Sequence, residues 1–293
     1  MRRLGFAPMT EILRLAAFTD VPEGGNPAGV VLDATALAPA TMQAIAAEVG
    51  YSETAFLTAD GGADRTYDVR YFSPAVEVPF CGHATIATAV ALARRDGAGD
   101  LLLNTQAGPV AVRTQRDGEE VTATLTSVPP HVEPPLADDE LAPALAALGW
   151  SAADLDPALP PRVAYAGAHH LILAARTRER LADLDYDFAA LESYMSARDL
   201  TTVDLVFRED ATTFHARNPF PVGGVVEDPA TGAAAAAFSA YLRALALVTP
   251  PARVTVRQGE DMGRPSLLLV DLDAGEGGIH VTGRAVPIPE DAA

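Results

Sequence analysis

The sequence predicts an α+β protein of two pseudo-symmetric lobes, each a curled, mostly antiparallel sheet around a central apolar helix. Three observations lead there. The 293 residues exceed one ordinary small core and fit two domains of about 140 residues. Residues 84–92 and 233–247 are apolar or small on every side, which suits helices buried all round. Each is headed by a glycine-containing turn, Cys81-Gly82-His83 or Glu227-Asp228-Pro229-Ala230-Thr231-Gly232. Each is followed at a similar interval by an echo, Thr105-Gln106-Ala107-Gly108 or Arg257-Gln258-Gly259. Self-similarity on this scale marks a divergent two-fold repeat.

The elements follow in order. Residues 12–19 and 28–32 are apolar runs, broken by the turn-rich Pro22-Glu23-Gly24-Gly25-Asn26-Pro27, and predict two strands. Met42, Ile45, Ala46 and Val49 recur at helical spacing, and Gly50 supplies the stop. Glu53 stands at the lip of the next strand, 54–57. Tyr67, Val69 and Tyr71 alternate on one face of another strand. Pro129-Pro130-His131-Val132-Glu133-Pro134-Pro135 reads as a linker, placing an N-terminal lobe at 1–130 and a C-terminal lobe at 131–278. A helix capped by Asp138 opens the second lobe, with Leu141, Leu145 and Leu148 on one face and a stop at Gly149. Residues 267–270 and 279–281 predict strands, and periodicity leaves open which lobe the final strand joins.

Composition removes whole classes of function. With 39 acidic against 21 basic residues, the net charge of −18 repels nucleic acid and anionic membranes. No apolar run approaches the roughly 18 residues of a membrane span, and the N-terminus lacks the apolar region of a signal peptide. One cysteine, Cys81, excludes an internal disulfide and fits a reducing cytoplasm. Every basic residue is arginine. Without a lysine there is neither a pyridoxal-phosphate Schiff base nor a Walker P-loop. No GxGxxG follows a strand, so a dinucleotide is not expected. No HExxH or Cys-rich set exists, and the adjacent His169 and His170 would point to opposite faces of a strand. No metal site and no cofactor are therefore expected.

Five blocks in order span nearly the whole chain: Ala17-Phe18-Thr19 with Gly25-Asn26-Pro27-Ala28; Ser52-Glu53-Thr54-Ala55-Phe56; Cys81-Gly82-His83-Ala84-Thr85; Glu227-Asp228-Pro229-Ala230-Thr231-Gly232; and Gln258-Gly259 with Gly263-Arg264-Pro265-Ser266. Together they resemble the PhzF family of phenazine-biosynthesis isomerases, which has the diaminopimelate-epimerase fold. The resemblance implies an active site in the cleft between two lobes, a final strand (about 279–288) that returns to the first lobe, and a homodimer. It implies that Glu53 shuttles a proton between substrate carbons and that Gly82, His83, Asp228 and Gly232 line the same pocket. Two departures stand out. The two opposed thiols of diaminopimelate epimerase cannot exist here, since the position facing Cys81 in the second repeat holds Pro229 or Asp228. Ala233 stands where the family usually has a serine, after the last glycine of its second motif, which would cost a substrate carboxylate one hydroxyl donor.

The chemistry agrees with these residue types. Moving a proton from carbon needs a base near the operating pH and a seat for the developing charge. Desolvation between a helix stop and an apolar strand would lift Glu53 toward that range. Gly82-His83 and Thr231-Gly232-Ala233 each begin a helix, where unpaired N–H groups favour a carboxylate. His83 is expected to orient substrate or relay a proton, and Asp228 either to cap the second helix or to bind a substrate amine. Cys81 is expected to be a buried small residue rather than a nucleophile. The expected function is thus a cofactor-independent isomerase acting on a small carboxylate. The alternatives are a racemase or epimerase with Asp228 or His83 as second base, and a non-catalytic binding protein that keeps the fold.

Overall fold

The computed structural model describes residues 10–59, 61–275 and 277–289. The chain forms two compact units, one of residues 1–17, 27–123 and 284–293 and one of residues 18–26 and 124–283.

In the first unit the chain runs β1 (Leu13–Ala17), β2 (Asn26–Val31), α1 (Pro39–Val49), β3 (Glu53–Leu57), β4 (Thr66–Phe72), β5 (Glu77–Val78), α2 (Gly82–Asp96), β6 (Asp100–Thr105), β7 (Gly108–Asp117) and β8 (Glu120–Thr126). β2 pairs with β3 in parallel, β3 with β4 antiparallel, β4 with β6 in parallel and β6 with β7 antiparallel. The short β5 completes a hairpin with β4. α2 packs against β1, β3 and β7, and every residue from His83 to Ala93 is buried. Its small side chains on all faces permit this. α1 covers the other face of the sheet, with Met42 and Ala46 against Val31, Phe56 and Phe72. It ends where Gly50 turns left-handed and its N–H returns to Ala46 O. Tyr67, Val69 and Tyr71 do share the buried face of β4.

The second unit repeats this plan. It contains β9 (His131–Val132), α3 (Asp138–Ala147), β10 (Arg162–Tyr165), β11 (His169–Ala174), α4 (Arg178–Ala182), α5 (Phe188–Ser196), β12 (Thr202–Arg208), β13 (Thr213–Phe220), β14 (Val225–Asp228), α6 (Gly232–Ala244), β15 (Ala252–Gln258) and β16 (Ser266–Leu272), followed by β17 (His280–Pro287). Here β11 and β12 are parallel, β12 and β13 antiparallel, β13 and β15 parallel, and β15 and β16 antiparallel. This is the order of β2, β3, β4, β6 and β7 again. α6 takes the place of α2, buried along nearly its whole length. α3 and α5 cover the outer face around Leu145, Trp150, Leu191 and Met195. Residues 280–282 of β17 pair with β16, while 285–287 pair with β1 and belong to the first unit.

Two boundaries differ from the sequence expectation. The first unit ends at Ala123 rather than 130, and residues 18–26 group with the second unit. The cause is local. Leu267 N donates to Phe18 O, Gly25 N to Pro265 O, and the Arg264 guanidinium to the carbonyls of Gly24 and Gly25. At the start of α3 the N-cap is Ala137, not Asp138, and Glu140 accepts from Ala137 N.

Candidate active site

The first cluster assembles at the start of α2. Glu53 opens β3, in register with Ala28 of β2. His83 is the second residue of α2, and Cys81 is its N-cap in extended conformation. The Glu53 Oε2 atom accepts from the Cys81 thiol at 3.4 Å and lies 3.3 Å from His83 Nε2. Ser52 Oγ is also 3.3 Å from His83 Nε2, and Cys81 Sγ is 3.3 Å from His83 Nδ1. The Glu53 side chain is 17% exposed and that of His83 6%. Burial raises the Glu53 pKa above the ordinary carboxylate value, and the contacts from Ser52 and Cys81 hold it down only in part.

The first N–H groups of α2 lack intrahelical acceptors, because the ladder starts with Thr85 N to Cys81 O. Among the described residues no side chain caps this end, and its first turn holds no acid. Gly82 does not serve a tight turn here, since its φ is not positive. A Cβ at that position would meet only the edge of Phe80, at 4.0 Å. The missing side chain leaves room at this helix start, where the helix dipole favours an anion.

The second cluster assembles at the start of α6, with Thr231 as N-cap and Gly232 and Ala233 as its first residues. Asp228 does not merely end β14. Its Oδ1 accepts from Asn26 Nδ2 at 2.7 Å and its Oδ2 from the Thr231 hydroxyl at 2.6 Å. Gln258 accepts from Thr231 N at 3.0 Å and donates to Asp228 O at 2.7 Å. Gly259 makes this approach feasible. Its φ is +75°, and a Cβ would collide with the carbonyl oxygens of Arg264 and Pro229. Just upstream, Arg217 holds Glu227 through a buried two-pronged pair of 3.0 and 2.6 Å, fixing β14.

The sequence-predicted residues thus fall into two groups. Glu53, Gly82 and His83 meet in the first unit, while Asp228, Thr231, Gly232 and Ala233 meet in the second. Cys81 is buried, as expected, yet it is also a direct partner of Glu53 and His83. Its counterpart in the repeat is the N-cap Thr231, not Pro229 or Asp228, because both residues occupy the position before the first helical glycine. Ser52, Asn26 and Gln258 lie within sequence motifs that assign them no role. No spacing rule links positions 26, 228 and 258, and the one available signal was that each adjoins a motif glycine or acid.

Three comparisons bear on this arrangement. The chain is 34% identical over 253 residues, 86% of each chain, to trans-2,3-dihydro-3-hydroxyanthranilate isomerase of Pseudomonas fluorescens. It is 33% identical over 266 residues, 89% of each chain, to the uncharacterized isomerase YddE of Escherichia coli (strain K12). A crystal structure of a Bacillus anthracis phenazine biosynthesis protein of the PhzF family superposes with a TM-score of 0.84 at 26% identity, covering 95% of this chain and 96% of that one. That structure shares the two-lobed, helix-centred α+β fold. The profile of the phenazine biosynthesis-like proteins (PhzC-PhzF) matches residues 15–291, and the chain belongs to that family.

Proposed function

We propose that the chain is a cofactor-independent isomerase that moves a proton between two carbons of a small carboxylated substrate, with Glu53 as the acid/base residue. The observation that carries the reading is the half-buried Glu53 carboxyl, raised in pKa and held against His83 and Cys81 at an uncapped helix start. The ionised carboxylate takes a proton as a substrate C–H bond breaks. It then returns that proton as a C–H bond forms at a second carbon, so nothing is gained or lost overall. A substrate carboxylate or the charge that develops beside it sits at the N–H groups of Gly82 and His83. His83 fixes the orientation of Glu53 and steadies its charge. Asp228, held in place by Asn26 and Thr231, is read as the partner of a substrate amine, with the N–H groups of Gly232 and Ala233 nearby. Ala233 supplies no hydroxyl, which points to a substrate less dependent on that donor. The single thiol supports a cytoplasmic enzyme, and the family resemblance supports a homodimer.

The racemase alternative with His83 as second base finds less support. Two-base inversion needs bases on opposite faces of one carbon, whereas His83 lies against Glu53 itself. The experiment is incubation with trans-2,3-dihydro-3-hydroxyanthranilate and related carboxylated amines in D₂O, following C–H positions by NMR. Proton relocation that vanishes in Glu53→Gln is expected. Loss of optical activity without a change of connectivity would favour the racemase, and relocation unchanged in Glu53→Gln would remove Glu53 from the mechanism.

A further inference from the structure

The outer strands of the second unit carry a further group of side chains, none of which belongs to either cluster. β9 pairs with β10 so that His131 stands opposite Tyr165, and β10 pairs with β11 so that Tyr165 stands opposite His169. Residues directly opposite one another share a sheet face, so these three form one row. Glu133, two residues beyond His131, has its backbone fixed by a bond from its N–H to Val163 O. The row faces outward, since His131 and Glu133 are exposed and His169 is partly so, whereas the neighbouring Ala164 and His170 are fully buried. His131 stacks on Tyr165 with ring centroids 4.8 Å apart, and its ring centre is 6.0 Å from that of His169. One ligating atom from each of His131, Glu133 and His169 lies within 4.8 Å of the other two.

We propose that His131, Glu133 and His169 form a binding site for a divalent transition metal of the zinc class. Two imidazoles and a carboxylate are the donors such ions prefer. Bonds of about 2.0–2.2 Å in a tetrahedron place ligand atoms about 3.3 Å apart. The side chains reach that spacing by small rotations, which their exposure allows. A second observation points the same way. His169 Nδ1 faces the Asp199 carboxylate at 3.5 Å. A carboxylate behind one ring nitrogen orients the imidazole, as at metal sites generally. Asp199 holds this place from a left-handed backbone position (φ 54°), and Thr201 N bonds to His169 O close by. The net charge of −18 adds a long-range field that draws in cations. Sequence spacing predicted no such site because its ligands come from different strands. Only His131-Val132-Glu133 is local, and that pattern shares a face only on a strand. A bound ion would clip β9 to β11 and stabilise the folded unit by mass action.

The test is calorimetric titration of Zn²⁺ into the full chain carrying Cys81→Ser, which removes the thiol from the separate Glu53, Cys81 and His83 cluster. One bound zinc is expected, together with a rise in Tm. His131→Phe, which keeps the ring stacked on Tyr165 but deletes its nitrogens, and His169→Ala should each abolish that binding. Asp199→Asn should weaken it about tenfold. Absence of zinc binding by the folded Cys81→Ser chain would overturn the proposal. So would zinc binding unchanged by His131→Phe and by Glu133→Gln, two variants that preserve the shape of the face.

Discussion

The two units share a plan and differ in what they place at matching points. Glu53 opens β3 opposite Ala28 of the parallel strand β2, and Thr202 opens β12 opposite His170 of the parallel strand β11. The first position holds a partly exposed acid against a thiol and an imidazole. The second is wholly buried, in a chain from His170 through Thr202 and Asn218 to Asp204, with distances of 2.7, 2.6 and 3.0 Å. The helix starts differ likewise: Cys81-Gly82-His83 offers titratable groups, and Thr231-Gly232-Ala233 offers only a hydroxyl and backbone. The repeat reproduces topology and helix burial because those depend on pattern. Chemistry depends on single side chains, and there the two halves have diverged: one holds an acid, a thiol and an imidazole together, and the other holds an acid between an amide and a hydroxyl.

The largest expected effect breaks that division at its centre. Glu53→Gln keeps shape and hydrogen bonding but cannot accept a proton from carbon. Turnover should fall by about 10⁴-fold, the upper end for general acid/base catalysis, with substrate affinity in calorimetry little changed. A folded variant within tenfold of wild type would move the proton chemistry elsewhere.

In the second unit, Asp228→Asn should raise KM by roughly 10- to 100-fold, the worth of a hydrogen bond to a charged group. Its effect on kcat should be much smaller. A loss confined to kcat would instead place Asp228 among the proton-handling groups. Asn26→Ala should move KM in the same direction, because it releases one oxygen of the same carboxylate.

The buried counterpart of the Glu53 position provides a stability test. Burial pushes the Asp204 carboxyl up from 3.8 to about 7 and the His170 imidazole down from 6.5 to about 3. Between 3.8 and 7 the folded chain holds a proton on Asp204 that the unfolded chain lacks, so this contribution falls as pH rises. Between 6.5 and 3 the unfolded chain gains a proton on His170 that the folded chain refuses, so that contribution falls as pH drops. The two oppose each other across the shared window. Asp204→Asn removes the first alone. Its stability should then fall, relative to wild type, by about 1.4 kcal/mol per pH unit on acidification from about 6.5 to about 3.8, measured by urea unfolding. Parallel profiles would show that the two groups are not charged as described.

The smallest effect belongs to Cys81. Cys81→Ala should keep most of the turnover, since no second thiol exists for a two-thiol reaction. The thiol does hold the Glu53 pKa down. Its loss should therefore move the acidic limb of the kcat/KM profile upward by a fraction of a unit, roughly in line with one weak hydrogen bond. Complete inactivation of a folded variant would make Cys81 part of the chemistry.

How much of this was legible follows the same division. Helices buried all round, the Gly50 stop and the alternation of Tyr67, Val69 and Tyr71 could be read because each depends on local pattern. Glu53, His83 and Asp228 could be selected through their motifs. The contact of Cys81 with Glu53, and the assembly of Asn26 and Gln258 around Asp228, join positions far apart in the chain, and no periodicity encodes such meetings. The grouping of residues 18–26 with the second unit was hidden for the same reason, resting on Arg264 and Leu267.

The pairing of β1 with β17 has a consequence for synthesis. Ala17 lies opposite Ala285, so β1 leaves the ribosome long before its partner β17. At about 5–20 residues per second, that delay is roughly 15 to 50 seconds. Throughout it, one edge of the nascent first sheet lacks its mate. Contacts so distant along the chain close slowly even after release. Nascent chains of this protein should therefore depend on chaperones that shield open strand edges, and truncation ahead of β17 should yield aggregates rather than a smaller folded unit.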